Sequence, residues 1–274
     1  VGKAEVALPL FKIALEANLK QEQFWISYIN ALIKTTQLEA AREVLQQGKN
    51  NGLSEETINA LEEQLSFSSP PHNQVNALIE LYNAGQMVET EKGCLELLET
   101  YPQTLVVINL LGTAFKAQGK LAEAVASYDQ AIELKPDYIN AYYNRGITLQ
   151  ELGKLAEAVA SYDQAIQFKP DYAEAYYNRG ITLQEMGQLA EAVSSYDQAI
   201  ELKPNYAEAH NGRATTLQEL GKLAEALVSY DQAIELKSDY AEAYSNRGNV
   251  LQEMEQLAEA VASYDRAIQI KPDY

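Results

Sequence analysis

The stretch GKLAEAVASYDQAI stands twice, letter for letter, at 119–132 and 153–166, and close copies follow at 187–200, 221–234 and 255–268. Each copy begins 34 residues after the one before it. A unit of that length is a pair of helices, and one pair cannot bury its apolar face alone. The chain is therefore expected to be all-α, with helix pairs stacked so that each covers its neighbour. Function is bounded too. Nothing in the repeated letters carries chemistry, so the sequence predicts a molecule that holds other molecules.

Five repeats fit without insertion, at 105–138, 139–172, 173–206, 207–240 and 241–274. They are numbered one to five here, with positions 1–34 in each. Position 8 is small (Gly112, Gly146, Gly180, Ala214, Gly248), positions 20 and 27 are alanine, and position 24 is always tyrosine (Tyr128, Tyr162, Tyr196, Tyr230, Tyr264). Small residues at such points let helix axes approach to about 8–10 Å. Gly119, Gly153, Gly187 and Gly221 at position 15 suit the left-handed residue that ends a helix. Proline at position 32 forbids continuation of the second helix. Glu255 replaces the turn glycine in repeat five, at a cost on the order of 1 kcal/mol if its φ is positive. Helices are expected at about positions 1–14 and 17–30. Asp171 and Glu174 have the spacing of a capping box for the first of them, repeated in Asn205 with Glu208 and in Asp239 with Glu242.

Upstream the pattern decays. Residues 1–65 read as degenerate helical hairpins, with Trp25 and Ala41 at positions 4 and 20 of a unit over 22–55. The Ser/Pro-rich stretch 66–73 reads as a linker or hinge, and 74–104 as a further degenerate repeat holding Gly85 and Pro102. The start at Val1-Gly2-Lys3 and the stop on a repeat boundary suggest a piece of a longer polypeptide. An uncovered last pair would then invite head-to-tail self-association.

Composition narrows the partners. With 39 acidic against 21 basic residues and a net charge of −18, the chain lacks the cationic clusters that nucleic-acid phosphates or an anionic membrane need. The acidity either keeps a long, surface-rich molecule in solution or matches a neutral-to-basic polypeptide. Cys94 is the lone cysteine, which points to a reducing, cytoplasmic setting. His72 and His210 have no metal-ligand spacing. The Gly-Lys pairs at 119–120, 153–154 and 221–222 lack the rest of a phosphate-binding loop. No Ser/His/Asp or Cys/His grouping arises. The expectation is no enzyme, no cofactor and no metal.

The residue set at positions 8, 20, 24, 27 and 32 resembles the tetratricopeptide repeat, in the form of a bacterial-type array. Departures are arginine at position 7 (Arg145, Arg179, Arg213, Arg247) and leucine at position 11 (Leu149, Leu183, Leu217, Leu251). The resemblance implies an α-solenoid, a right-handed superhelix of antiparallel helix pairs. Its concave groove would be lined by positions 2, 5, 6, 9, 12 and 13 of each first helix and would hold a protein or peptide. The groove residues implied are Asn140, Tyr143, Asn144, Ile147 and Gln150 in repeat two, and Tyr177, Asn178, Ile181 and Gln184 in repeat three. They continue as Asn211, Thr215 and Gln218 in repeat four, then Asn246, Asn249 and Gln252 in repeat five.

Side-chain amides carry donor and acceptor together, so each can pair with a peptide unit in both directions. Tyrosines add rigid contact area. The asparagine row at position 6, broken by Leu110 and Gly212, resembles that in the repeat domains of O-linked N-acetylglucosamine transferases. It implies a substrate-recognition arm of a larger enzyme such as a glycosyltransferase as an alternative function. Copying of the whole repeat accounts for the same row. A self-assembling scaffold is the third reading. The Lys and Arg with which chaperone-tail-binding repeats clamp a terminal carboxylate are missing from positions 2 and 5. The position-7 arginines are expected to pair with aspartate at position 25 (Asp163, Asp197, Asp231, Asp265).

Overall fold

The computed structural model describes residues 2–35, 37–67 and 70–272, and among these it holds sixteen helices and no strand. The chain divides into two compact units between Ala114 and Phe115. In the first lie α1 (Gly2–Ala17), α2 (Glu22–Lys34), α3 (Leu38–Asn50) and α4 (Glu55–Phe67). They are followed by α5 (His72–Asn83), α6 (Met87–Thr100) and α7 (Leu105–Ala117), the last crossing the division. The second unit continues with α8 (Leu121–Leu134), α9 (Ile139–Glu151), α10 (Leu155–Phe168) and α11 (Ala173–Glu185). It ends with α12 (Leu189–Leu202), α13 (Ala207–Glu219), α14 (Leu223–Leu236), α15 (Ala241–Glu253) and α16 (Leu257–Ile270).

In the first unit the core is built on Trp25, Ile29 and Leu32 of α2, which meet Ala41 and Leu45 of α3 and Leu61 and Leu65 of α4. Trp25 is buried, and its indole N–H donates to the Leu19 carbonyl at 2.8 Å. Trp25 and Ala41 thus occupy interior positions, as their places in the decayed repeat suggest. Of the stretch read as a linker, residues 68 and 69 lie outside the described residues; α4 reaches Phe67 and α5 opens at His72.

In the second unit each repeat is one pair, and the close approach between its helices has a visible cause. The position-24 tyrosines Tyr128, Tyr162, Tyr196 and Tyr230 are all but fully buried. The position-8 glycines Gly146, Gly180 and Gly248 make room for a ring: a Cβ added at Gly146 would lie 2.6 Å from Tyr162, and one at Gly180 would lie 2.9 Å from Tyr196. Between the paired helices Gly187 takes φ 72°, and the Gln188 N–H reaches back to the Leu183 carbonyl at 2.9 Å. This closes the C-terminus of α11 in the manner of a left-handed cap. Glu255 makes the same turn at φ 61°. Replacing it with glycine should raise stability by about 1 kcal/mol and the melting temperature by about 2–4 °C; an unchanged melting curve would refute the strain.

The capping-box expectation is wrong. The residue that precedes α11 is Tyr172, and its side chain makes no cap. Asp171 sits one residue too early, as do Asn205 and Asp239, because α13 and α15 likewise start behind Tyr206 and Tyr240. The first turn is held by backbone instead, the Tyr172 carbonyl accepting from Ala175 N–H at 3.0 Å. Freed from that role, Glu174 and Glu208 pair with Lys203 and Lys237, each at 3.3 Å.

The position-7 arginines do pair with position-25 aspartates, those of the preceding repeat. Arg145, Arg179 and Arg247 reach Asp129, Asp163 and Asp231, each through Nε at 2.6 Å, and Arg213 reaches Asp197. The series therefore starts at Asp129, and Asp265 is not among these partners. Each arginine also donates from Nη1 to a buried serine of its own second helix, as Arg179 does to Ser195 at 2.6 Å. One guanidinium thus joins three helices. The carboxylates are half exposed, so the ionic part is weak. Arg179→Met should cost about 1 kcal/mol, chiefly the hydrogen bonds; urea unfolding with an unmoved midpoint would show the pair to be idle.

Candidate functional site

In the second unit the successive first helices α9, α11, α13 and α15 approach one another, whereas no second helix reaches the next second helix. The first helices therefore crowd the inner side of this stack. The rows that the sequence assigns to their inner side are at positions 2, 5, 6, 9, 12 and 13.

Position 5 carries the rings. Tyr143 packs on Tyr172 at 4.8 Å between centroids and lies near Tyr162 at 6.2 Å; Tyr177 repeats this with Tyr206 at 4.9 Å and Tyr196 at 6.0 Å. Burial raises the pKa of both Tyr143 and Tyr177, which keeps them neutral phenols. Tyr172 and Tyr206 at position 34 each carry a lysine over the ring, Lys169 at 4.5 Å and Lys203 at 4.3 Å. Sequence reasoning missed this second ring. Its signal is plain in the letters: position 34 is tyrosine in every repeat.

Position 6 is less free than its row suggests. The Asn178 amide donates to the Tyr143 hydroxyl at 2.9 Å, tying repeat three to repeat two. Asn144 is engaged as well, while Asn246 is half-buried. Gly212 breaks the row for a packing reason, since a Cβ there would lie 2.8 Å from the Tyr196 ring.

Position 12 forms an inter-repeat seam. Gln150 donates to Glu185 of the next repeat at 2.8 Å, and Gln184 and Gln218 do the same to Glu219 and Glu253. The carbonyl ends of Gln150 and Gln184 accept from the buried Tyr162 and Tyr196 hydroxyls at 3.4 and 3.2 Å. A primary amide has two N–H donors, and the bond to the glutamate uses one of them. In repeat five Tyr264 bridges Asn249 at 2.9 Å and Gln252 at 3.0 Å.

At position 9, Ile147 and Ile181 pack beside Tyr162 and Tyr196 with part of each exposed, and Thr215 shares a hydrogen bond with Tyr230 at 3.0 Å. Asn211 at position 5 is 6% exposed and its Oδ1 has no partner. Asn140 stands exposed at the start of α9.

Elsewhere the reactive residue types are structural. His210 donates from Nε2 to the Pro204 carbonyl, 3.1 Å away, where Tyr142 donates to the Pro136 carbonyl in repeat two. Cys94 is buried, and desolvation pushes its thiol up to about 12. Among the described residues no group of His, Cys, Asp and Glu is arranged to hold a metal, and no helix is long and apolar enough to cross a membrane.

Stacked helix pairs with an inner face of rings and amides define a repeat scaffold for protein interaction. Models of the TPR repeat match residues 112–153, 149–187 and 216–255, and tetratricopeptide repeat models match 173–206, 195–228 and 241–274. Together they run unbroken from 112 to 274, more than half of the chain, which belongs to the tetratricopeptide repeat family. No curated protein sequence matches the chain.

Solved structures share the fold. YrrB, described as a TPR protein with an unusual peptide-binding site, is 25% identical with a TM-score of 0.57, over 66% of this chain and 93% of its own. Pseudomonas aeruginosa pilF aligns at 17% identity and TM-score 0.65, over 74% of this chain and 92% of its own. A tetratricopeptide repeat protein from Parabacteroides merdae gives 22% and 0.62, over 72% and 78% respectively.

Proposed function

We propose that the inner face of repeats two to five holds an extended, neutral-to-basic polypeptide, and that the protein is a non-catalytic, cytoplasmic interaction module. The observation that carries this is the row of half-committed glutamine amides along α9, α11, α13 and α15, joined in α9 and α11 by the part-exposed rings of Tyr143 and Tyr177. The peptide-binding site described for YrrB, a relative in fold, supports it. At about 10 Å per helix layer, one repeat spans about three residues of extended chain at roughly 3.3 Å each. The carboxylates at position 13 turn acidic segments away.

The test is a photocrosslinking pair. Benzoylphenylalanine at Asn246 on the inner face should capture a peptide selected from a random library, and the same group at the exposed Ala160 of α10 should not. Capture from Ala160 alone would sink the reading.

A substrate-recognition arm of a glycosyltransferase draws on the asparagine row, of which Asn178 is already bonded to Tyr143, and on the passage from degenerate to regular repeats; it stands second. Self-assembly has its own observation: Leu257 and Val261 of α16 are 62% and 56% exposed, while their counterparts Leu223 and Leu227 pack into the core. Ligand-free oligomers that disappear in Val261→Lys would favour it.

A further inference from the structure

The inner face changes chemistry along its length. Over repeats two and three it presents Tyr143, Ile147, Tyr177 and Ile181, each partly exposed. The same positions in repeats four and five hold Asn211, Thr215, Ser245 and Asn249. Where rings pack in the first half, the second half keeps the unpartnered Asn211 carbonyl and an open cavity of about 410 Å³ lined by Gln218, Asn249, Gln252 and Glu253.

Charge shifts along the same face from repeat three onward, where the exposed Glu185 already receives only the neutral Gln150 amide. Glu151, at the start of the position-13 row, is held by Lys116 at 2.8 Å. Glu219 and Glu253, further along it, are exposed and receive the neutral amides of Gln184 and Gln218. A carboxylate that holds only a neutral amide gains a stronger, charge-assisted bond when a guanidinium or ammonium arrives. An acidic side chain there would meet both glutamates and a chain of net charge −18.

We infer that the face is bipartite: repeats two and three seat an apolar or aromatic side chain of the bound segment, and repeats four and five seat a basic one. This rests on the groove reading above and adds the ligand's composition and spacing. The centres of the two halves are two repeats apart, about 20 Å at roughly 10 Å per layer. An extended chain covers that in about six residues. The ligand is thus a segment with an apolar anchor and an arginine or lysine about six residues away.

Fluorescence anisotropy on three labelled peptides in a Gly/Ser/Asn background tests it. The reference carries a Phe pair and an Arg pair centred six residues apart; one variant changes Arg to Glu, the other Phe to Ser. The reference should bind at least about tenfold more tightly than either variant. Glu219→Gln with Glu253→Gln should shrink the Arg-against-Glu gap below about threefold and leave the Phe-against-Ser gap intact. Tyr143→Asn with Tyr177→Asn, which installs the residue that repeat four carries there, should do the reverse. If the tyrosine variant melts below the assay temperature, the glutamate arm decides alone, since those residues are exposed. Gaps that survive the glutamate changes, or that fall together, overturn the bipartite face and leave groove binding standing. Binding of none of the three, together with no inner-face crosslink, overturns both.

Discussion

Tyr196→Ala should destabilise the second compact unit by about 3–5 kcal/mol, the usual loss for a buried aromatic truncated to alanine. The ring is 1% exposed and lies against two glycines: Gly180 of its own repeat, and Gly212 of the next. Its hydroxyl donates to Gln184 at 3.2 Å. One side chain therefore fills the space within a pair and the space between pairs. A stacked array is held by just such nearest-neighbour terms, so the loss should split unfolding into two transitions. Tyr196→Phe removes only the hydroxyl and should cost about 1 kcal/mol. Tyr264→Ala offers a control, because that ring meets Gly248 of its own repeat and is only half-buried; its cost should fall well below that at Tyr196. Urea unfolding followed by circular dichroism separates the three. A single transition shifted by less than about 1 kcal/mol in Tyr196→Ala would contradict the two-sided role.

How much of this was legible depends on how far each interaction reaches. Position 15 was readable because a positive φ is a local demand, and it left glycine in four repeats and strain at Glu255. Positions 8 and 24 were readable as a pair, since a small residue and a large one recur at fixed spacing. The capping box misled because Asp171 and Glu174 satisfy a local pattern while the chain enters α11 one residue later, with Tyr172 as the anchor. Arginine 7 and aspartate 25 were correctly joined, but which repeat supplies the aspartate depends on how one pair rotates on the next. The glutamine row failed in the same way. Its amides were read as free recognition groups, yet Gln150 meets Glu185 across a repeat boundary, a contact no single repeat contains. The gradient from Tyr143 to Ser245 was always in the letters. It carried meaning only once those positions shared one face.

Raising the pH through 10 to 12 should unfold the second compact unit cooperatively, and this is the largest condition-dependent effect expected. Tyr162, Tyr196 and Tyr230 are buried, and desolvation is the first cause that pushes each phenol above its ordinary value near 10, Tyr230 to about 12. Neighbouring carboxylates, Glu219 among them, push Tyr196 and Tyr230 the same way. A raised folded-state value means the native chain holds these protons more tightly than the unfolded one. Below about pH 10 both states keep them and stability is intact. Above it, unfolding releases a proton from each, and stability falls by about 1.4 kcal/mol per pH unit per buried tyrosine. Three such groups would remove about 4 kcal/mol per pH unit, about 8 kcal/mol across that window, which is comparable to a typical stability of about 5–15 kcal/mol. Ionisation of the buried tyrosines, read as tyrosinate absorbance, and loss of helix ellipticity should therefore coincide. Full ionisation of all tyrosines while the helix signal persists would mean that water reaches position 24, and with it that the rings do not pin one repeat to the next.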